Sequence, residues 1–597
     1  MVVHQNGKYI SLILGVLSLG LLFVIACGGA EAPAQAPVKT TAAVSAPAPA
    51  AAKTSPGADK PTPQPTAHAA LQSPNVAPTA VPTAVPEAEI RETVVTKLIL
   101  SVVPPINQVT MQYRTAMSSG GPMRPGHEYL LGLDRTDGHQ ITQLATKWEV
   151  GKDFKSWRWH LNEGIEFHDG SLLTAKDVPF SWSLITGDDS VATGRKTMRL
   201  LFESQDSFEI VNDHEFVMHT ARAALNLPYY WSDDIDMQIE SKDYWDKVGE
   251  EGYAAHPVGT GPYRFVEFTE GVGMSYERVE DHWRKTAPFP EIEILYTPED
   301  VTRVAQLLAG EVHVSTIPRG LKNQVTSQGK KIIKATLPSF QVLAFIGGQY
   351  LDDAREADDP MNNLLVRKAL NLAINREEIN EEIFGGAGEI MSVHSFSPYL
   401  TGDAYDSSWT PYPYDPEQAR ELLKEAGYPN GFKQKMLSFN ASGVPELPQV
   451  AEAFYTYFRA IGLEPEIEST TFGKTRERYR SRSLHRTLFP QRTSATPTFR
   501  LWPVVYGSDA VGTVVHGYEV PEVDEIWLKY AGSTDAAERK RLLRWVGQNQ
   551  YDNYYSIPLL FLFGEIAVDP DVIEDYVTNM LLYGPLRNLE YIEPVYK

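Results

Sequence analysis

No Phe, Trp or Tyr occurs between Phe23 and Tyr113, although aromatic residues make up 11% of the 597-residue chain. A segment without large apolar side chains cannot bury enough surface to offset the entropy of ordering its backbone. From Gly28 to Glu92 the chain is rich in Ala, Pro and Thr instead, a composition that gives an extended, disordered tether. The gap divides the chain. Folded structure is expected from about residue 93 onward, and what precedes the gap is a separate device.

That device reads as an address. Lys8 precedes an apolar run, Ile10 to Ile25, which is shorter than a membrane span needs and has the layout of a secretory signal. It ends in Val24-Ile25-Ala26-Cys27-Gly28, and Cys27 is the only cysteine. The ending resembles a bacterial lipobox, in which small residues admit the peptidase and the thiol takes the diacylglycerol. Residues 1–26 are therefore expected to be a lipoprotein signal peptide, Cys27 the lipidated residue and 27–92 the tether. The alternative is a cysteine that happens to end a plain signal or anchor. With Cys27 lipidated, no thiol remains for a disulfide or for catalysis.

The remaining chain is too long for one core, so two or three domains are expected. A formal net charge of −22 argues against nucleic acid, whose binding needs clustered cations. Thr93 to Val103 is β-branched and apolar and stops at Pro104-Pro105, which predicts a buried first strand. Leu144 to Val150 and Trp157 to Leu161 predict a hairpin, and Phe208 to Met218 a second one around Asn212-Asp213. In 297–314, Val301, Val304, Ala305 and Leu308 predict one helical face ended by Gly310, with a strand after it. In 366–374, Val366, Ala369, Leu370, Ala373 and Ile374 predict an amphipathic helix. Asp415 as N-cap, Pro416 at the first helical position and Gly427 beyond the last turn bound another.

Two short stretches are more specific. Phe167-His-Asp-Gly170 with Leu173-Thr-Ala-Lys-Asp-Val-Pro-Phe-Ser-Trp182 places a turn before a helix, with Thr174 and Asp177 spaced like a capping box. Gly259-Thr-Gly-Pro-Tyr263 has two glycines that can take φ > 0 and a proline that fixes its own. Together with Leu144 to Val150, Val366 to Arg376, Tyr414 to Tyr428 and, more loosely, Glu522 to Arg541, these stretches resemble the ordered motifs of the family 5 extracellular solute-binding proteins of ABC transporters, the oligopeptide, dipeptide and nickel group. The resemblance spans about residues 95–597. Asn375 stands where the family has Asp, and His313 where Asp is common; the latter reads as neutral drift.

The resemblance implies an α/β periplasmic-binding-protein type II fold with two lobes and an inserted domain. The expected boundaries are 93–130, 256–345 and 560–597 for a discontinuous lobe I, 131–255 for the inserted domain and 346–559 for lobe II. Gly259, Gly261 and Pro262 then mark the crossing back from the inserted domain. Tyr555-Ser-Ile-Pro-Leu559 is the expected return from lobe II, its proline breaking a strand. The implied function is capture of a small solute or oligopeptide outside the membrane and delivery to an ABC permease, by a monomer anchored through Cys27. A ligand sensor that presents its closed form to a membrane receptor is an alternative; a hydrolase on the same scaffold is a weaker one.

The residues themselves offer no catalytic constellation. Phosphate-cradling G-x-x-x-x-G-K-[ST], G-x-G-x-x-G and G-x-S-x-G patterns are absent from the sequence. His214-Glu215 is followed by His219, one residue too far for H-E-x-x-H; His127-Glu128 has no second His, and His168-Asp169 belongs to a turn. No catalytic residue, metal or cofactor is expected. Peptide binders of the family carry an Asp near 487–497 that meets the peptide amine, and here no Asp or Glu lies between Arg478 and Arg500. Arg492 falls near that place and would favour an anion. Tyr229, Tyr230, Trp231, Phe345, Tyr350, Trp502 and Tyr506 are the aromatic candidates for the cleft.

Overall fold

The computed structural model describes residues 91–105, 108–114, 121–192, 194–233, 237–347, 358–441, 443–499, 505–507, 518–579 and 584–597. Cys27, Tyr350 and Trp502, together with the signal and all but the last residues of the tether, lie outside them.

One eleven-stranded sheet runs through the molecule. Its order is Glu464–Ser469, Lys433–Ser438, Thr487–Ser494, Lys331–Ile346, Ser556–Val568, Val314–Thr316, Lys97–Val102, Glu291–Tyr296, Gly273–Arg278 and Tyr263–Thr269, with Gly388–Ile390 also paired to Ser556–Val568. Each end contains a parallel unit closed by a helix. Glu291–Tyr296 leads through the Asp300–Ala309 helix to Val314–Thr316, and both strands lie parallel to Lys97–Val102. Lys433–Ser438 leads through the Leu447–Ala460 helix to the parallel Glu464–Ser469. Between the ends stand two long antiparallel strands, Lys331–Ile346 and Ser556–Val568. A separate four-stranded sheet, Ala145–Val150, Ser156–Leu161, Glu215–His219 and Phe208–Asn212, lies within residues 131–255 and contains both predicted hairpins.

Three main cores form. The largest gathers Val342 to Leu562 around Phe345, Phe439, Phe454 and Tyr506. A second, built on Trp157, Trp159, Phe202, Phe216 and Trp231, belongs to the four-stranded sheet. The third joins Leu98, Leu100, Tyr263, Ile292 and Ile294 to Ile566 and Val568. Of these three the large sheet serves the first and the third, and among the described strands only the two long ones reach into both; a smaller cluster around Val304 and Leu307 also packs on it.

The capping signals at Asp415 and Gly427 are realised, whereas Thr174 does not cap its helix: the residue before that helix is Lys176, with no side-chain cap. Asp415 accepts from Gln418 N at 2.8 Å, with Pro416 behind it and Gly427 at φ 93°. Asn375 accepts from Glu378 N at 3.1 Å, and Asn caps a helix about as well as the expected Asp. Asp177 Oδ2 accepts from Thr174 N at 2.8 Å, although the helix itself begins at Asp177.

Four other expectations change. Pro558 does not break its strand. It sits opposite Leu343, at a shift in the ladder, where a missing N–H is tolerated. The larger irregularity falls earlier: Lys334 pairs with Glu565 and Pro338 with Phe563, so residues 335–337 bulge out. In the Asp300–Ala309 helix the buried residues are Arg303, Val304 and Leu307, while Val301 is 69% exposed. Arg303 takes the inner position because its guanidinium reaches the carbonyls of Thr297, Pro298 and Thr316 at 2.8–2.9 Å. His313 is not drift. Its Nδ1 accepts from Ile99 N at 3.0 Å and its own N–H donates to Ile99 O at 2.8 Å, clamping the first strand. Gly259 and Gly261 are absent from the positive-φ residues; their role is contact, described below.

Arg376 shows how tightly the largest core is tied. It is buried, and its guanidinium donates to the carbonyls of Pro558, Asn371, Ile374 and Tyr412 and to Asn371 Oδ1. Replacing it by Leu strips donors from several buried acceptors at once. Arg376→Leu is expected to cost about 3 kcal/mol or more, read as a lowered denaturant midpoint; an unchanged midpoint would contradict this account.

Candidate functional site

The stretch at Val258–Tyr263 is held by backbone atoms and histidines. Gly261 N donates to Gly126 O at 3.1 Å. A Cβ on Gly261 would stand 2.6 Å from Pro125 O and Gly126 C, and one on Gly259 would stand 2.0 Å from Gly126 O. These glycines are required by close backbone approach, not by a left-handed conformation. His168 clasps the same stretch: its N–H donates to Gly259 O at 2.9 Å, Nε2 meets Gly261 O at 2.9 Å and Nδ1 accepts from Gly259 N at 3.3 Å. His282 Nε2 meets Thr260 O at 2.8 Å. Tyr253 donates to Val258 O at 2.7 Å and also bonds buried Glu240, which lies 3.4 Å from His127 Nε2. Burial pushes the His168 imidazole down to about 3, so the ring is neutral and serves as one donor and one acceptor. The three histidines are structural, as their sequence context suggested for His127 and His168.

The cores meet around the bulge in the long strands. Leu133, Leu337 and Tyr399 form a small apolar cluster. Tyr399 stands edge-on to Phe563 at 6.0 Å, the Lys334 ammonium lies 4.0 Å from the Phe563 ring centre, and Tyr399 Oη donates to Glu389 at 3.0 Å. Farther out, Phe499 packs against both the largest core and that of the four-stranded sheet, meeting Tyr229 edge-on at 5.4 Å. Aromatic faces with a cation and a carboxylate beside them can hold an amphiphilic molecule. None of these residues was singled out in the sequence except Tyr229, because what unites them is a strand irregularity and not a motif.

Three of the predicted aromatics lie elsewhere. Trp231, Phe345 and Tyr506 are all 0% exposed. Trp231 packs on Phe202 and Phe208, Phe345 on Phe489 and His394, and Tyr506 on His394; all three rings are core. Arg492 is half-buried on the central Thr487–Ser494 strand, its guanidinium 5.0 Å from the Phe340 ring centre and 5.9 Å from that of Phe472. The surrounding arginines are largely paired: Arg478 with Glu468, Arg482 with buried Glu519 and Arg486 with Asp358.

No catalytic pairing emerges among the described residues. His214 lies in a hairpin turn and His219 on the following strand, bonded to Glu209 at 3.1 Å, so no helical zinc pair exists there. His394 sits 3.0 Å from both Tyr506 Oη and Thr493 Oγ1, but it is sealed and burial pushes it down to about 3, which makes it a poor base at neutral pH. Asp134, Asp137 and His139 have ligand atoms within 4.8 Å of one another. Asp134 is occupied by the N–H groups of Thr136 and Asp137, and Asp137 by His139.

The profile of bacterial extracellular solute-binding proteins, family 5, matches residues 140–502. Haem-binding protein A of Haemophilus influenzae is 27% identical over 468 residues, covering 74% of this chain and 82% of that protein. A glutathione-binding protein of Pectobacterium atrosepticum is 26% identical over 440 residues, covering 70% and 79%. The ABC transporter-associated periplasmic binding protein DppA of Helicobacter pylori, solved with a bound peptide, superposes with a TM-score of 0.67 at 20% identity, covering 85% of this chain and 99% of that one.

Two outcomes follow for the glycine–histidine knot. Gly261→Val should lower stability by about 3 kcal/mol or more, since the added atoms meet only backbone; a well-folded variant with altered solute choice would contradict this. His168 is neutral in the folded protein down to about pH 3, whereas in the unfolded chain it takes a proton near pH 6.5. It therefore costs nothing above pH 6.5. Below that, stability falls by about 1.4 kcal/mol per pH unit until pH approaches 3. His168→Asn, which keeps a donor and an acceptor, should flatten the pH dependence of unfolding by one proton over that window; an unchanged slope would exclude His168 as its source.

Proposed function

The chain belongs to the bacterial extracellular solute-binding proteins of family 5, and on that premise we propose that it closes two lobes on its solute around the bulge in its two long strands. Its general role is to bind a solute and deliver it to the permease of an ABC importer. The single observation that supports this form of closure is the pairing of Lys334 with Glu565 and Pro338 with Phe563, an irregularity at the only place where both strands pass between cores. We place the lobe crossings at 334–340 and 563–565, with lobe I on one side, lobe II on the other and the 131–255 segment as the inserted domain. Binding energy then has to exceed the cost of closing, and no chemical step is needed. A monomer held at the membrane by lipidated Cys27 and the Ala/Pro/Thr tether is the form we propose. No helix among the described residues is long and apolar enough to cross a membrane.

Relatives are named for haem, glutathione and dipeptides, so membership alone does not decide the cargo. We propose a solute carrying an anionic group. Support comes from the stretch after Arg478, which contains no carboxylate up to Arg500 and so lacks the amine anchor of peptide binders. Arg492 is the proposed contact, its guanidinium steadied by Phe340 and Phe472.

Mass spectrometry of small molecules released from the purified protein, with no turnover of those molecules on incubation, tests the binding role; turnover would replace it with an enzymatic one. For the released solute, Arg492→Ala should weaken binding roughly tenfold to a hundredfold, the worth of a hydrogen bond to a charged group. Unchanged affinity would reduce Arg492 to a packing residue.

A further inference from the structure

The largest core and the one containing Val304 and Leu307 are linked by a charge pair outside the sheet. Arg319 follows the Val314–Thr316 strand, next to Ile317 and Leu321, which pack with Val304 and Leu307. Glu446 precedes the Leu447–Ala460 helix of the largest core. Arg319 Nη1 lies 3.1 Å from Glu446 Oε1 and 3.3 Å from Oε2, and it also reaches Gly443 O at 3.5 Å. The side chains are 13% and 10% exposed. Water therefore screens the pair less than a surface bridge, and each charge is costly to leave sealed without the other.

The mount is constrained on both sides. Gly443 has φ +83°, and a Cβ there would lie 2.4 Å from the Phe340 ring. That ring belongs to the long strand just past the bulge and carries the Arg492 guanidinium on it. A continuous set of contacts thus runs from Arg492 through Phe340 and Gly443 to Arg319. An opening pivot at residues 335–337 would separate Arg319 from Glu446, because the two stand on elements belonging to different cores. A second contact between cores, Tyr229 with Phe499, lies on other segments altogether.

We propose that Arg319–Glu446 is a latch of the closed form, which sets how readily the lobes close and so scales the affinity for every solute alike. The idea rests on the closing reading above. A protein whose binding-competent form is only partly populated has its apparent affinity reduced by that fraction. A latch that stabilises closure by one charge-assisted contact changes that fraction roughly tenfold. Salt should act in the same direction as the variant but less strongly, because a mostly sealed ion pair is screened less than an exposed one.

Hydrogen exchange of the full-length protein, with no solute added, can test the latch. Residues 225–231 carry the distant Tyr229 contact and touch neither Arg319 nor Glu446. Glu446→Gln is expected to speed exchange there roughly tenfold as well as at 319–327. Wild-type protein in 1 M sodium chloride should move the same segments less far, and the exchanged pair Arg319→Glu with Glu446→Arg should restore protection. Faster exchange confined to 319–327 and 443–450 would overturn the latch and leave a local surface bridge. A tryptic digest of casein, added as a probe of known composition, separates the two ideas. If the digest protects 225–231 in wild type while Glu446→Gln and salt leave that segment unchanged, closure stands and the latch falls. If neither digest nor salt moves 225–231 in wild type, closure itself falls, and the latch with it.

Discussion

Lys331–Ile346 and Ser556–Val568 are the one stretch of hydrogen-bonded ladder that both ends of the large sheet share. On one side they extend the parallel unit of Lys97–Val102, and on the other that of Lys433–Ser438. Each end has its own helices and its own core, so either could be rearranged internally without touching the other. Closure of the kind proposed would have to be absorbed where these strands pass between cores. The ladder is weakest there, since residues 335–337 have no partners in it. A bulge in a strand adds local twist and bend, and on the closing reading proposed above this is where the bend falls.

Much of the fold was legible because its signals are local. An N-cap, a first-turn proline and a closing glycine lie within a dozen residues, and 415–427 folds as they say. The two hairpins and the helix at 366–372 declare themselves through period and turn chemistry in the same way. The irregularities of the two long strands were not legible. Pro558 looks like a strand breaker until its partner is known, and a ladder already shifted at Leu343 tolerates it. The face of the 300–309 helix was displaced for a related reason. Arg303 counts as polar in any pattern, but three backbone carbonyls wait for it inside.

The candidate site was less legible still. Trp231 and Phe345 were good candidates by residue type, and residue type does not distinguish a ring that fills a core from one that lines a cleft. Arginines recur through residues 476–500. The carboxylates that meet Arg478, Arg482 and Arg486, namely Glu468, Glu519 and Asp358, lie outside that window in sequence. Arg492 differs in resting on two aromatic rings. Phe563 and Tyr399, which meet beside the bulge, come from distant segments with no shared pattern. Sites assembled by topology leave no spacing to read.

The knot at Gly259–Tyr263 has a consequence of a different sort. Phe167–Gly170 and Gly259–Tyr263 look like two independent landmarks in the sequence, but His168 spends both ring nitrogens and its own N–H on the backbone of the other stretch. They are two halves of one joint. A bulkier residue at 259 or 261 displaces the carbonyls that hold the imidazole, and a different residue at 168 leaves polar atoms of the glycine stretch unmet. Neither half can drift alone, so any lineage that changes one is committed to compensating in the other. Because the joint is made of backbone and imidazole, the constraint it imposes comes from the fold itself.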